Sequence, residues 1–538
     1  MPESLSTADV IADSLAQSGI GHIFAYPGDP IIELMERSCH LGLDVVLARR
    51  EGSAAFMAEG YAMARGTLGV CLSTLGPGST ALANGVAAAN VDRVPMLAIS
   101  GQIETSREQF FTHQVVDHKS FFSPITKWAG RVEPAAAGTT MRKAIRLATA
   151  ERPGAVHLTI AGDSSKQIAT DTSFRPVPDR GAVQTLSVHR APGGPDPLRM
   201  VAAATHPVIL AGIGATRAGA TAALLRFAET TSTPVVVSPM AKGVFPEEHP
   251  LFAGVLDMAC NKILWDLLGS SDLIISAGFD AVELIKPWSV GTPVLHIDAL
   301  ANSEQIYSAD VECLGDIGAI LDWMSDEWSG QDRWSHREVA HHRSLLSAAY
   351  YSGRVSGRLN PTDVVDVVRE SMPLNTIATC DVGSHKLLIG QGWRTHQPRE
   401  LLMTNGLSSM GFGVPAAIGA KVAFPDRPVV AMIGDGGFAM TATEVRLAAA
   451  LNLPVVFVVF VDGSLNRIEL KQMVQGYQST ATRIEDMDLV AMAGAMSCDG
   501  VRVETAEELR RSLADVTTLS RPLIVEAHVD PTQYESQF

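Results

Sequence analysis

Short apolar, β-branched runs alternate with Ala-rich stretches along most of the chain, as in "GVCLSTLG" before "STALANGVAAAN", then "VPMLAISG" and "GAVHLTIAG". That alternation predicts parallel sheets covered by helices, an α/β architecture. At the start, Val10, Ile11 and Leu15 recur at helical spacing and predict an amphipathic opening helix. Two stretches interrupt the pattern. Residues 171–197 are rich in Pro, Gly and Arg and read as a linker. Around 327–358 the chain turns polar and charged, before "NPTDVVDVVRE" opens a new helix that Asn360 or Thr362 would cap. The pattern therefore predicts three doubly wound parallel-sheet units, residues 1–170, 190–330 and 359–538. A chain of 538 residues is too long for one core in any case. The pattern does not say whether the first and third units share a fold.

Composition narrows the function classes. Apolar residues make up 46% and charged residues 19%, a globular profile. A formal charge of −16, with no basic patch or tail, argues against a general nucleic-acid binder or an anionic-membrane binder. No apolar run reaches membrane-spanning length uninterrupted, and the N-terminus lacks the basic and apolar regions of a signal peptide. Six cysteines stand scattered, without CxxC pairing or metal-ligand spacing, and read as reduced thiols of a cytoplasmic protein.

The chemistry begins at residues 429–470. Here a strand-like run breaks at Gly434-Asp435-Gly436-Gly437, and a second breaks at Val461-Asp462-Gly463-Ser464, with the two aspartates 27 residues apart. In an open parallel sheet, ligands bind beyond the carboxyl ends of the strands. Gly436 and Gly437 would let the backbone approach a phosphate, with helix amides behind it. Asp435 and Asp462 would offer two carboxylates to a hard cation such as Mg²⁺, which takes few protein ligands and completes its shell with carbonyl and phosphate oxygens. Either break alone reads as an ordinary Asp-Gly turn; the pair, one strand-helix-strand unit apart, points to a metal-diphosphate site.

The GDG followed by a polar ligand resembles the diphosphate motif of thiamine-diphosphate (ThDP) enzymes. "DVGSHKLLIGQGWR" and "NGLSSMGFGVPAAIGAK" resemble the same domain in the acetolactate synthase group. So do "FAYPGD", "RREGSAAFMAEGYAMARG", "TLGPGST" and "PITKW" near the other end, and "MAKGVFPEEHPLFAG" in the middle. The resemblance implies an N-terminal pyrimidine-binding domain, a central Rossmann-like domain and a C-terminal diphosphate-binding domain. It implies that Glu51 bonds the cofactor's aminopyrimidine ring and so promotes loss of the thiazolium C2 proton. It also implies that Met410 wedges the cofactor into a bent shape, that Val382, Ser384 and His385 line the diphosphate with Gly436 and Gly437, and that the Ser464 carbonyl is a third metal ligand. His113 and Gln114 match a segment near the reacting carbon and resemble the flavin-independent, catabolic type. Because the glutamate and the diphosphate site come from different subunits in this family, a homodimer or homotetramer is implied. Read alone, Glu51 would favour a helix N-terminus, Met410 would be core packing, His113 and Gln114 would have a structural role, and His385 would be an ordinary surface-loop histidine.

Departures bear on the substrate. Val461-Asp462 replaces the usual Asn-Asn, keeping the ligand oxygen. Arg467 and Lys471 replace apolar or aromatic residues around the acceptor pocket, and Asp29 stands where a small residue is usual. Two cations there suit a polar or anionic acceptor, or else face solvent. Gly212-x-Gly214-x-x-Arg217 is a dinucleotide fingerprint without its third glycine, and the flavin-contacting Arg pattern is missing, so FAD is disfavoured. The expected activity is ThDP- and Mg²⁺-dependent decarboxylation of a 2-oxo acid such as pyruvate, with transfer of the acyl-anion equivalent to a carbonyl acceptor. The rivals are a simple 2-oxo-acid decarboxylase and a catalytically silent cofactor-binding protein.

Overall fold

The computed structural model describes residues 4–178, 186–328, 330 and 333–537. Three sheets carry the fold. The first contains β1 (His22–Ala25), β2 (Asp44–Leu47), β3 (Gly69–Ser73), β4 (Met96–Gln102), β5 (Trp128–Arg131) and β6 (Ala155–Ala161), in the order β2-β1-β3-β4-β6-β5. Every pairing in it is parallel. The second contains β7 (Ser187–Arg190), β8 (Pro207–Ala211), β9 (Val235–Val237), β10 (Phe252–Val255), β11 (Leu273–Ala277), β12 (Val294–Asp298) and β13 (Val311–Leu314). Its order is β10-β9-β8-β11-β12-β13-β7, parallel except for the edge strand β7. The third contains β14 (Ile377–Cys380), β15 (Leu401–Met403), β16 (Val429–Gly434), β17 (Val455–Val461), β18 (Asp499–Val503) and β19 (Leu523–His528), in the order β15-β14-β16-β17-β19-β18.

Counted from their own first strands, the first and third sheets have the same order, so the two units share a topology that the pattern of residues left open. In both, the chain leaves the first strand for the edge and returns to place the third strand on the other side. That reversal opens a crevice at the carboxyl ends of β1 and β3, and of β14 and β16, where open sheets bind ligands.

The opening helix Thr7–Gln17 buries Val10, Ile11 and Leu15, and Ser6 and Asp9 form a capping box at its start. Asn360 caps the helix Pro361–Ser371 in a box with Asp363. The stretch read as a linker ends differently from expectation: Ser187–Arg190 pairs antiparallel with β13 as an edge strand, while residues 179–185 lie outside the described residues. The charged stretch before Asn360 carries the helix His336–Tyr350, also capped by a box, Ser335 with Glu338.

Small residues join the first and third units. The helices Glu51–Arg65 and Gly413–Ala423 approach so closely that a Cβ on Gly60 would lie 2.4 Å from the Ala416 carbonyl oxygen, and one on Gly419 would lie 2.0 Å from that of Met57. Alanine at either position would overpack the contact, at a cost of about 1–3 kcal/mol.

Candidate active site

The two Asp-Gly breaks end neighbouring strands. β16 and β17 pair in parallel from Val429↔Val455 to Gly434↔Phe460, so Asp435 and Asp462 emerge side by side. Both runs are buried almost throughout, which is why neither shows a polar alternation. Asp435 ties the two ends together. Its Oδ2 accepts the N–H groups of Asp462 (3.2 Å) and Gly463 (2.8 Å), and its Oδ1 accepts that of Gly436 (2.7 Å). Asp462 accepts the Ser464 N–H through Oδ1 at 3.1 Å, and Oδ2 has no hydrogen bond among the described residues. Burial, followed by the charge of Asp435, pushes the Asp462 carboxyl up to about 7; burial raises Asp435 as well.

Ser464 bridges Arg483 in an antiparallel pair whose hydrogen bonds are made by its neighbours, Leu465 N–H to Thr482 and Ile484 N–H to the Gly463 carbonyl. That geometry leaves the Ser464 carbonyl out of the bridge. Its hydroxyl donates to Glu469 at 2.5 Å. Among the described residues no three His, Cys, Asp or Glu side chains cluster as a metal cage. Two carboxylates and a carbonyl, completed by ligand oxygens, are nonetheless a donor set that suits Mg²⁺.

Around this pair stand the other expected residues of the third unit. A Cβ on Gly436 would lie 2.9 Å from Ile484, 3.0 Å from Leu465 and 3.5 Å from Met410 Cε, so Met410 stands over the glycine turn. His385 is buried, its ring stacked on Phe460 with centroids 5.3 Å apart. A Cβ on Gly434 would lie 3.0 Å from His385 Cε1. Burial holds its imidazole down at about 3, and Nε2 has no hydrogen-bond partner among the described residues. Ser384 donates to Asn466 at 2.6 Å, and the Val382 N–H donates to Asp381 at 2.6 Å. Arg467 lies half-buried on the helix Asn466–Val474, and burial lowers its guanidinium; Lys471, one turn on, is exposed.

Asp381 was not among the expected residues. It is fully buried at the end of β14, and it accepts the N–H groups of Val382, Gly411 (3.0 Å) and Gly413 (3.4 Å). It thereby fixes the turn that carries Met410. A Cβ on Gly437 would lie 2.7 Å from Asp381 Oδ2, so close packing on this carboxylate also requires that glycine. The signal was present: β14, β16 and β17 are each followed at once by Asp.

A second cluster forms at the carboxyl ends of the first sheet. A Cβ on Gly28 would lie 2.1 Å from Thr74 Oγ1; one on Gly78 would lie 3.1 Å from Glu51 Oε1; one on Gly76 would lie 2.5 Å from the Gln114 carbonyl. The β1, β2 and β3 ends thus gather Asp29, Glu51 and Gln114. Asp29, His113 and Gln114 are exposed, and His113 packs edge-on against Phe111. The Glu51 carboxylate makes no hydrogen bond or ion pair among the described residues. Nor does any such bond join Glu51 or Gln114 to Met410, Asp435 or Asp462 within the chain.

Three family models match the chain in order. The thiamine pyrophosphate enzyme N-terminal TPP binding domain matches residues 5–121, the central domain 197–324 and the C-terminal TPP binding domain 381–527. A probable acetolactate synthase large subunit of Methanocaldococcus jannaschii is 30% identical over 98% of this chain and 92% of its own length. The chain belongs to the thiamine pyrophosphate enzyme family. An acetolactate synthase large subunit of Parasynechococcus marenigrum is 32% identical, over 98% of this chain and 88% of its own. The acetolactate synthase of Bacillus subtilis is 27% identical, over 97% and 93%.

As a thiamine pyrophosphate enzyme, the protein carries its two matched TPP-binding domains on the two sheets of identical strand order. Its central domain holds Gly212-x-Gly214 directly after β8. There Glu283 takes the Ile213 N–H at 2.9 Å, and a Cβ on Gly212 would lie 2.4 Å from the same carboxylate. Burial pushes the Glu283 carboxyl up to about 8.

Proposed function

We propose that the protein decarboxylates a 2-oxo acid, pyruvate in the first instance, and transfers the resulting acyl-anion equivalent to a carbonyl acceptor, with ThDP held through Mg²⁺. The observation that carries this reading is the convergence of Asp435, Asp462, Met410 and the unpartnered His385 Nε2 at the β14–β16 crevice of a TPP-binding domain. Asp462 and the Ser464 carbonyl would join Asp435 around the metal, and its charge would let both carboxylates ionise. His385, Ser384, Val382 and the Gly436-Gly437 turn would hold the diphosphate, and Met410 would set the bend. When bound, ThDP supplies a carbon nucleophile and takes up the electron pair left by departing carbon dioxide. Glu51 holds and moves the proton at the aminopyrimidine ring. His113 and Gln114 orient the 2-oxo acid, while Arg467, Lys471 and Asp29 bound the acceptor side.

Glu51 and Asp435 belong to separate clusters, so we assign the complete site to a homodimer, or a tetramer of such pairs, with each site shared between two copies. Apolar side chains exposed around each cluster support that assignment, Phe110 at 73% beside the first and Val474 at 86% beside the second. The Glu283 carboxylate on the Ile213 amide stands where a nucleotide phosphate would lie, which supports a flavin-free protein. Six unpaired cysteines, five of them buried, suit a reducing compartment. No described helix is long and apolar enough to cross a membrane.

The test is calorimetric. ThDP should bind only with Mg²⁺ present, and Asp435→Ala or Asp462→Ala should each lose that affinity while staying folded. Wild-type affinity in both variants would reduce the two turns to structural roles.

A further inference from the structure

The Arg217 of the broken fingerprint has no part in the proposed reaction. It lines a cavity of about 600 Å³ between the three units, at the amino ends of β3 and β4. A strand the length of β3 spans roughly 16 Å, so this cavity lies well away from the Glu51 end of the same sheet. Its apolar wall includes Met63 and Ile145 of the first unit and Met240 of the middle one. Thr216, Arg217 and Arg399 belong to its polar part, which Arg93 and Arg146 share with Gln17, Ser18, Thr67 and Thr149.

Thr216, Arg217 and Arg399 are short of acceptors. Arg217 spends Nη2 on Glu151 at 2.6 Å, with Asp280 at 3.9 Å, and its buried Nε and Nη1 have no hydrogen-bond partner among the described residues. Thr216 Oγ1 is likewise buried, without a hydrogen-bond partner among the described residues. Arg399 has no hydrogen bond or ion pair among the described residues, and burial together with the nearby Arg217 charge lowers its guanidinium. The carboxylates nearby are already engaged: Arg93 and Arg152 hold Asp280 and Glu304. A half-buried cation facing a second cation, without its own carboxylate, is destabilising unless an anion joins it. Guanidinium forks take planar or tetrahedral oxyanions, often by two parallel bonds.

We propose that this cavity binds a small organic anion, its oxyanion head on Arg399 and the free edge of Arg217, its apolar body against Met63, Ile145 and Met240. The volume suits a ligand of that size. The site is separate from the diphosphate crevice and does not depend on the reaction proposed above.

The test is a calorimetric titration with phenyl phosphate, benzoate, inorganic phosphate and phenol, run on protein saturated with ThDP and Mg²⁺ and again on protein without them. At least one of phenyl phosphate and benzoate should bind at one site per chain in both forms, more tightly than head or body alone. Which of the two binds tells a phosphate head from a carboxylate head. Arg399→Met should weaken that binding by about 10- to 100-fold, the worth of a charged hydrogen bond. Without any anion, the same variant should melt no lower than wild type, because it removes an unpartnered cation. No saturable binding by either compound, binding that survives Arg399→Met, or binding abolished by ThDP would overturn the site. A markedly lower melting temperature of the anion-free variant would do the same, since it would mark Arg399 as structural. Inorganic phosphate binding as tightly as phenyl phosphate would overturn the apolar half of the proposal.

Discussion

Asp381→Ala tests how the Met410 turn is held. The carboxylate accepts two well-formed N–H bonds, from Val382 and Gly411, and a longer one from Gly413. Leaving these three donors without an acceptor would cost about 3–9 kcal/mol, at about 1–3 kcal/mol for each buried group. One term opposes this loss. Burial raises the Asp381 carboxyl to about 6, against an ordinary 3.8. At neutral pH the ionised form therefore carries a strain of about 3 kcal/mol, which alanine relieves. The net change in global stability is then reduced to about 0–6 kcal/mol of destabilisation. The local effect is not offset, because the Gly411 and Gly413 amides lose their acceptor whatever happens to the charge. Hydrogen exchange of the cofactor-free protein should show those two amides opening about 100-fold faster, as 3 kcal/mol requires. ThDP affinity should fall with them, since Met410 sits next to Gly411. Unchanged exchange at both glycines would refute the reasoning, whatever the melting temperature does.

Other outcomes follow from single residues. Glu51→Gln should retain ThDP but exchange the cofactor's C2 proton about 10²–10⁴-fold more slowly, followed by NMR; an unaltered rate removes Glu51 from proton transfer. Glu283 keeps its proton up to about pH 8 in the folded chain but loses it near 4.5 when unfolded. Its contribution to stability is therefore present at low pH and lost as pH rises from about 4.5 to 8, by up to about 4–5 kcal/mol. Glu283→Gln should flatten that slope in denaturant titrations, and an identical slope would mean that the carboxyl does not titrate there. The purified protein should be colourless; a yellow preparation with stoichiometric FAD would contradict the closed Gly212-x-Gly214 turn.

Much of this was legible because buried parallel strands are written as unbroken apolar runs, and what ends them stands out. Asp435 and Asp462 were visible for that reason, and Asp381 could have been found by the same rule. Ser187–Arg190 was not visible as a strand: all four residues are exposed, so no burial pattern marks them. The helix His336–Tyr350 buries only Val339 and Tyr350, too few for a helical period. The matching order of the first and third sheets was hidden for a different reason. Strand order depends on which edge each crossover helix takes, and local pattern does not encode that choice. The crowding of Arg217 and Arg399 at one cavity was equally hidden, since it joins residues from two units that are far apart in sequence.

The most direct test of the proposed function is a carbon-13 NMR time course of labelled pyruvate with the protein, ThDP, Mg²⁺ and a panel of neutral and carboxylated carbonyl acceptors. The reading predicts labelled carbon dioxide together with a new carbon–carbon bond in the remaining two-carbon fragment. It also predicts a preference for polar or anionic acceptors that Arg467→Met or Lys471→Met diminishes. Carbon dioxide with free acetaldehyde alone, under every acceptor, would contradict carboligation and leave a simple decarboxylase. No carbon dioxide from pyruvate or any other 2-oxo acid, with ThDP demonstrably bound, would contradict the catalytic account itself.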